Sequence, residues 1–335
     1  MSRERNAPGF FFEDSTITTV LSSVQFPRSK LPARSTIPAH SLLTSGVRTL
    51  PGISHRASIA ALALLCIASI CMFAGDTSLT VEDLVRNHLD AIGTAQVRSA
   101  TQSRAVQGTA VYRILVGGSG SVEGKTGMVS EGRKLRFMAK FLRGDYRGEQ
   151  FIFNEGRFEI AFANVDQTRS PFGDFVRTQT AILGEGLFGG VLSTGWALLD
   201  AGERKPRLTY EGLKKVDGQN LHQLRYEPRK SSDLEIRLYF DPETFRHVRT
   251  VYMLSIGSNV GADITQSAKQ RPERLRLEEK FRAFKDVDGL RLPTRWNIQF
   301  TRETPTGSTT VTEWDLSEDQ INNNIGLDPK NFAVR

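Results

Sequence analysis

Three histidines, His88, His222 and His247, lie in the part of the chain that patterns as a folded domain. With carboxylates nearby, they are the residue types best suited to hold a metal or move a proton. Their spacing supports neither use. His88 sits on a predicted helix and the other two on separate predicted strands, each among charged neighbours, so each reads as solvent-facing. There is no His-Glu-x-x-His run and no His/Asp grouping with metal-ligand spacing. Glu149, Glu159 and Glu235 alternate with apolar residues and read as surface acids, and no carboxylate pair is singled out for acid–base work. A Gly-x-Ser-x-Gly elbow and a phosphate-cradling Gly-x-x-x-x-Gly-Lys loop are both absent. Gly117-Gly118-Ser119-Gly120 lacks a strand-to-helix context and reads as a hairpin loop. Catalytic residues, metal ligands and cofactor motifs are thus not visible, and the chain reads as a non-enzyme.

The elements around those residues carry more information. Leu135, Phe137, Ala139 and Phe141 alternate with Lys134, Arg136, Met138 and Lys140. Phe158, Ile160 and Phe162 repeat the pattern, as do Leu234, Ile236, Leu238 and Phe240. A period of two puts the apolar members on one face and the polar ones on the other. Strands are predicted at about 106–116, 121–130, 133–142, 148–153 and 157–163, then 207–216, 219–227, 234–240, 246–255, 273–284, 293–301 and 308–316. Short Gly, Asp and Asn-rich turns between them leave no room for crossover helices, so the sheet is antiparallel. It is wet on its convex side and apolar on its concave side. Trp296, Ile298 and Phe300 continue the inward face, followed by Thr312, Trp314 and Leu316.

Two segments break the rhythm. From Ser78, Thr80 and Asp83 form a near capping box, and Val81, Leu84, Val85, Leu89 and Ile92 fall at helical spacing before Gly93. From Ser170 to Gly202 the alternation stops, and an uncharged apolar run of about 14 residues, 186–199, carries Gly186, Gly189, Gly190 and Gly195. It is too short to span a bilayer and too rich in glycine for a rigid helix. It reads as a helical plug of the sheet or as a movable lid, two readings that are compatible. The polar stretch 257–271 reads as a long loop, and the tail from Asp319 to Arg335 as a short cap on the sheet edge.

Of the formal net charge of +7, about +4 falls on the first 74 residues, where seven Lys/Arg face three Asp/Glu. No dense basic cluster with interleaved aromatics points to nucleic acid. Residues 57–74 form a long uncharged apolar stretch after His55 and Arg56. This is either a cleaved secretory h-region or an uncleaved inner-membrane anchor facing the periplasm. Residues 1–56 show no period and read as a poorly ordered extension, or as the product of a start site placed too early. Both cysteines, Cys66 and Cys71, lie in the apolar stretch, and neither follows a small residue as lipidation requires. Cleavage would leave no cysteine for a disulfide, a thiolate metal site or a nucleophile.

The order of these pieces resembles a known group. A short helix ends in Asp90-Ala91-Ile92-Gly93, strands begin near Gly108, and a glycine-rich insert follows. The run VDGQNLHQLRYEP (216–228) then pairs with LYFDPETFRHVR (238–249), and DVDGLRLPTR (286–295) completes the set. Over about residues 79–335 this looks like the exported bacterial proteins similar to the periplasmic lipoprotein carrier LolA. The resemblance implies an α+β, mostly antiparallel fold: a curved half-barrel of about eleven strands with helices over its concave face. It further implies an apolar cavity that holds acyl chains, and therefore lipid or acylated-lipoprotein partners and membrane partner proteins. The expected organisation is a single domain, 75–335, with the helical insert at 170–202. The expected cavity and lid residues are Leu135, Phe137, Phe151, Phe153, Phe158, Phe162, Leu187, Phe188, Trp196, Leu238, Trp296 and Ile298. No cofactor and no metal is expected.

Overall fold

The computed structural model describes residues 79–162, 170–257 and 271–334, with the backbone alone at 161 and 162. The N-terminal extension, the apolar stretch at 57–74 and most of the 257–271 loop lie outside the described residues. Two helices come first, α1 (Val81–Ile92) and α2 (Ala95–Ala100). Five strands follow: β1 (Ser103–Val116), β2 (Ser121–Glu131), β3 (Lys134–Phe141), β4 (Gly148–Asn154) and β5 (Arg157–Phe162). The insert holds α3 (Pro171–Thr178), α4 (Ala181–Gly184), a 3-10 turn (Gly190–Leu192) and α5 (Ala201–Arg204). Seven strands complete the fold: β6 (Arg207–Val216), β7 (Gln219–Glu227), β8 (Glu235–Phe240), β9 (His247–Ile256), β10 (Glu273–Val287), β11 (Leu290–Glu303) and β12 (Thr309–Asn323).

All twelve strands form one open, curved antiparallel sheet in the order β5-β4-β3-β2-β1-β12-β11-β10-β9-β8-β7-β6. The chain meanders outward from β1 to β5, leaves the sheet, and returns at the opposite edge as β6. From there it meanders back until β12 pairs with β1. Three turns, Glu155-Gly156, Asp217-Gly218 and Asp288-Gly289, place both central residues at positive φ. That geometry matches the right-handed twist of paired strands and needs only two residues. The 288–289 turn lets β10 and β11 run to their full length, longer than the alternation predicts. Among the described residues the strand count is twelve, against the eleven implied by the resemblance.

β1 and β12 are the long central pair, and their contact is tight. The register shifts between Gln107 and Gly108, and a Cβ at Gly108 would lie 1.8 Å from the Ser317 carbonyl oxygen. Only glycine fits there. At the start of the fold, Thr80 and Asp83 make the reciprocal capping box, and Leu84, His88 and Ile92 form the buried stripe of α1. The expected cap on the sheet edge sits elsewhere: β12 absorbs the tail to Asn323, and the 3-10 turn at Pro329–Phe332 packs on β3 and β4. Phe332 is buried there, its carbonyl accepting from Asn154 Nδ2 at 2.9 Å.

The Gly108 contact is testable by a paired substitution. Gly108→Ala is expected to destabilise the fold by more than about 2 kcal/mol, since backbone must move to admit the methyl group. Gly127→Ala, whose Cβ would meet its nearest atom at 3.8 Å, is expected to stay within about 0.5 kcal/mol of the parent. Urea unfolding of the two variants measures the difference.

Candidate functional site

A chain that leaves one edge of a curved sheet and re-enters at the other must cross the hollow between them. The insert does so and fills it. Leu187, Phe188, Leu192, Trp196 and Ala197 are all fully buried against the concave face. The apolar hollow that the resemblance implies for acyl chains is thus occupied by the protein's own side chains. The segment is also less helical than expected. Gly189 and Gly190 adopt φ of 78° and 52°, and a Cβ at Gly190 would sit 2.9 Å from His247 Nδ1. Glycines here let the chain turn in left-handed steps directly on the side chains of the sheet.

Two aromatic boxes hold the insert. Phe188 lies 5.2 Å from Phe137, 5.4 Å from Phe151 and 5.1 Å from Trp296 between ring centroids, mostly edge to face. Phe172 of α3 adds an edge contact to Phe151 at 5.2 Å. Trp196 occupies the second box, stacked on His247 at 4.6 Å, with Phe240 and Phe281 around that imidazole.

Buried polar groups pin the same segment. Arg104 Nη1 donates to the carbonyls of Val191 (2.7 Å) and Leu192 (3.1 Å), while its Nε donates to Asn323 Oδ1 (2.7 Å). Burial lowers the Arg104 pKa to about 10, which leaves it cationic at neutral pH. Glu279 Oε1 accepts from the Gly189 N–H at 2.8 Å, and the Tyr252 hydroxyl donates to Oε2 at 2.7 Å. Thr194 N–H donates to Ser130 Oγ at 3.0 Å, and Tyr226 donates to Glu185 at 2.6 Å. At the start of the insert, Ser170 donates to Glu149 Oε1 at 2.5 Å while capping α3. Inside the insert, Arg204 ties Gly184 O (2.8 Å) to Gly195 O (3.2 Å), so residues 184–204 form a closed unit.

The histidines are the largest correction to the sequence reading. All three are buried, not solvent-facing. His88 accepts from Trp196 Nε1 at Nε2 (3.0 Å) and donates from Nδ1 to Phe245 O (3.0 Å), so the imidazole is neutral. Burial drops its pKa to about 4. His247 turns inward because a register shift between β8 and β9 inserts one residue after it, pairing it with inward Phe240. Burial carries its pKa well below the imidazole range. His222 shares the inward parity of Leu224 and contacts the Tyr210 hydroxyl at 2.7 Å.

Glu149 is also buried, not a surface acid. It lies in phase with Phe151 and Phe153, two residues and four residues on, and so points inward. Glu279 follows the same rule between Leu277 and Phe281, and Glu318 two residues after Leu316. Burial pushes Glu149 and Glu279 up to about 7 and Glu318 to about 8. Glu159 and Glu235 do remain partly exposed, with Glu235 ion-paired to Arg237. Strand parity was the signal that could have found the inward acids; His88 was legible as the residue four after Leu84 and four before Ile92.

Of the twelve expected cavity and lid residues, Phe137, Phe151, Phe188 and Trp296 meet in one box, while Trp196 anchors the other. Leu187, Leu238 and Ile298 are fully buried on the same side of the sheet. Leu135 and Phe153 face each other in register, and Phe158, opposite Phe153 on the edge strand, is partly exposed. Phe162 pairs with Glu149 through the backbone, and its side chain lies outside the described part. A groove of about 540 Å³ lies on the outer face instead, lined by Glu235, Met253, Arg276, Glu278, Gln299 and Thr301 among others. Its lining mixes Met253, Leu254 and Leu275 with Asp233, Glu235, Arg276 and Glu278, Arg276 lying 3.1 Å from Glu278.

The fold and this arrangement define an open antiparallel sheet whose hollow is filled by its own crossing segment. Solved structures of similar form include a LolA superfamily protein from Nitrosomonas europaea, at 13% identity over 77% of this chain and 99% of that one, TM-score 0.40. A DUF1329 family protein from Desulfovibrio piger is similar at 17% identity over 76% of this chain and 97% of that one, TM-score 0.40. An outer membrane lipoprotein-sorting protein domain from Vibrio parahaemolyticus is similar at 14% identity over 74% and 97%, TM-score 0.32. No family model and no curated protein matches the chain. Among the described residues no helix is long and apolar enough to cross a membrane, and no three His, Cys, Asp or Glu side chains gather as metal ligands.

Glu279 gives the site a pH dependence of known sign. Its folded pKa of about 7 lies above the ordinary carboxyl value of 4.5, so between those values the folded state holds more protons than the unfolded state. Stability from this group is full below 4.5 and is lost as pH rises through 7. Glu149 acts in the same direction; His88, depressed from 6.5 to about 4, acts oppositely and costs stability as pH falls through that window. Glu279→Gln keeps a neutral partner for Gly189 and Tyr252. It is expected to gain on the parent by roughly 3 kcal/mol between pH 4.5 and 7.5, measured by urea unfolding across that range.

Proposed function

We propose that the chain is an exported envelope protein that binds a lipid, an acyl chain or an acylated lipoprotein on the concave face, with residues 186–199 as the displaceable cover. The observation that carries this reading is the occupant of the hollow. Leu187, Phe188, Leu192 and Trp196 take the place an acyl chain would take, against a wall of Phe, Leu and Trp. A sixteen-carbon chain buried at about 0.8 kcal/mol per methylene releases on the order of 10 kcal/mol, comparable to what lifting those side chains costs. The cover is closed on itself by Arg204 and joined to the sheet by individual hydrogen bonds rather than by strand pairing. Exchange of one apolar filling for another is therefore feasible without breaking the sheet. A membrane partner protein of the inner or outer membrane would hand over or receive the cargo.

The full burial of Leu187, Phe188, Leu192 and Trp196 favours a second reading, a non-catalytic structural or interaction module whose hollow stays filled. A reversible lock separates the two. With Cys66 and Cys71 replaced by Ser, a Ser130→Cys/Thr194→Cys pair ties the cover to the sheet. Binding of a fluorescent fatty acid by the full chain is expected to be lost on oxidation and restored by reductant. Binding that ignores the lock, or is absent in both states, removes the acyl-carrier reading.

A further inference from the structure

Three of the large apolar side chains that the fold leaves exposed lie on two neighbouring hairpins. Leu115 and Val116 end β1 at 46% exposure each, and Leu142, at 70%, follows β3 at the turn into β4. The turns stand side by side, since a Cβ at Gly144 would lie 4.0 Å from Val122 Cβ at the start of β2. Leu142 is not loosely held. Arg147 donates to its carbonyl, and Phe141 N–H donates to Arg147 O at 3.1 Å, so the turn presents that side chain outward on a fixed backbone.

The charge around these tips is unusual. Lys125 and Lys140 sit directly opposite each other in the β2–β3 register, an arrangement of like charges that costs stability unless a counter-charge is supplied. Neither makes an ion pair among the described residues, and the nearest cross-strand neighbours, Thr109 and Gly148, are neutral. Arg143 and Arg147 lie on the β3–β4 turn itself. Residues 115–125 and 140–147 together carry four basic side chains and two acids, Glu123 and Asp145. A protein partner needs a fitted face of about 800 Å² on each side. Aliphatic points on two turn tips with a basic collar suit a fluid, anionic layer instead.

We propose that the paired tips of the β1–β2 and β3–β4 hairpins dock on an anionic lipid bilayer, with Leu115, Val116 and Leu142 entering the headgroup layer. Lys125, Lys140 and Arg143 meet the lipid phosphates. This does not depend on what binds beneath the cover. It places the β3–β4 turn, which also carries Tyr146 beside Glu149 and Ser170, at the lipid surface.

Amide hydrogen exchange of the full chain reads each region separately. With phosphatidylcholine vesicles containing phosphatidylglycerol, amides of 115–121 and 142–147 are expected to gain protection that fades at high salt. Leu142→Glu is expected to weaken that vesicle affinity by about tenfold or more, given the transfer energy of one leucine. Arg143→Glu, on an exposed turn position, provides a second variant that reads the charge contribution, and it is expected to reduce the salt dependence. Unchanged exchange at both turns, protection confined to residues 57–74, equal protection by pure phosphatidylcholine, or protection that grows with protein concentration without vesicles each overturns the proposal. The last of these would identify a second copy of the chain as the occupant.

Discussion

The pairing of the first strand with the last governs everything else in this molecule. Because β1 and β12 meet at the centre of the sheet, the two meanders run outward to opposite edges, and the chain between them has to cross the hollow. No other route joins β5 to β6 along a short path. The Gly108 contact with Ser317 lets the two long central strands approach despite their register shift. A filled concave face is thus a consequence of topology before it is a consequence of side-chain chemistry.

What holds the crossing segment is a division of labour between apolar burial and buried polar pins. The non-directional part comes from Phe188, Leu192 and Trp196, whose transfer from water is worth about 1.5–3 kcal/mol per side chain. That term would hold the segment in many positions. The pins choose one. Arg104 reads two adjacent carbonyls, Glu279 reads one amide, and the His88 imidazole accepts the indole proton of Trp196. Left unpaired, each of these groups would cost its full desolvation, so a shifted segment is penalised more than a bonded one is rewarded. Specificity of position is the main contribution of the polar set.

Much of the sheet was legible in the sequence because its signals are local. Alternation fixes which residues share a face, and two-residue turns such as Asp217-Gly218 fix the neighbour of each strand. Inward Trp296 and Ile298 follow directly from that logic. The buried acids were legible too, since Glu149 lies in phase with Phe151, and there parity outweighs the preference of a charged side chain for solvent. His247 was not legible: the inserted residue that turns it inward depends on how β8 and β9 align, and no single strand encodes it. The path of residues 184–204 was hidden for a related reason. Its turns are set by contacts with Gly132, Ser130 and His88, which are distant in sequence, and an aperiodic run carries no local rule for them.

Under the proposed reading, the same balance lets a filled hollow serve as a binding surface. An empty apolar cavity large enough for an acyl chain would forfeit the dispersion contacts of its whole lining, a cost that protein interiors avoid. A segment of this chain that occupies the hollow removes that cost and leaves only the difference between two fillings. That difference is small when both are hydrocarbon, and the hydrogen bonds to Arg104, Glu279 and His88 then decide which filling prevails. Glu279 titrates near neutrality, and it is the only one of these three that changes charge there, as His88 falls to about 4 and Arg104 stays cationic. Its ionisation in a dry site weakens the closed packing, although the Gly189 amide and Tyr252 hydroxyl partly offset the cost by bonding the charged form. On that reading, the energy separating covered from uncovered states is set by one carboxyl group and a handful of directional contacts, not by the large apolar area that both states share.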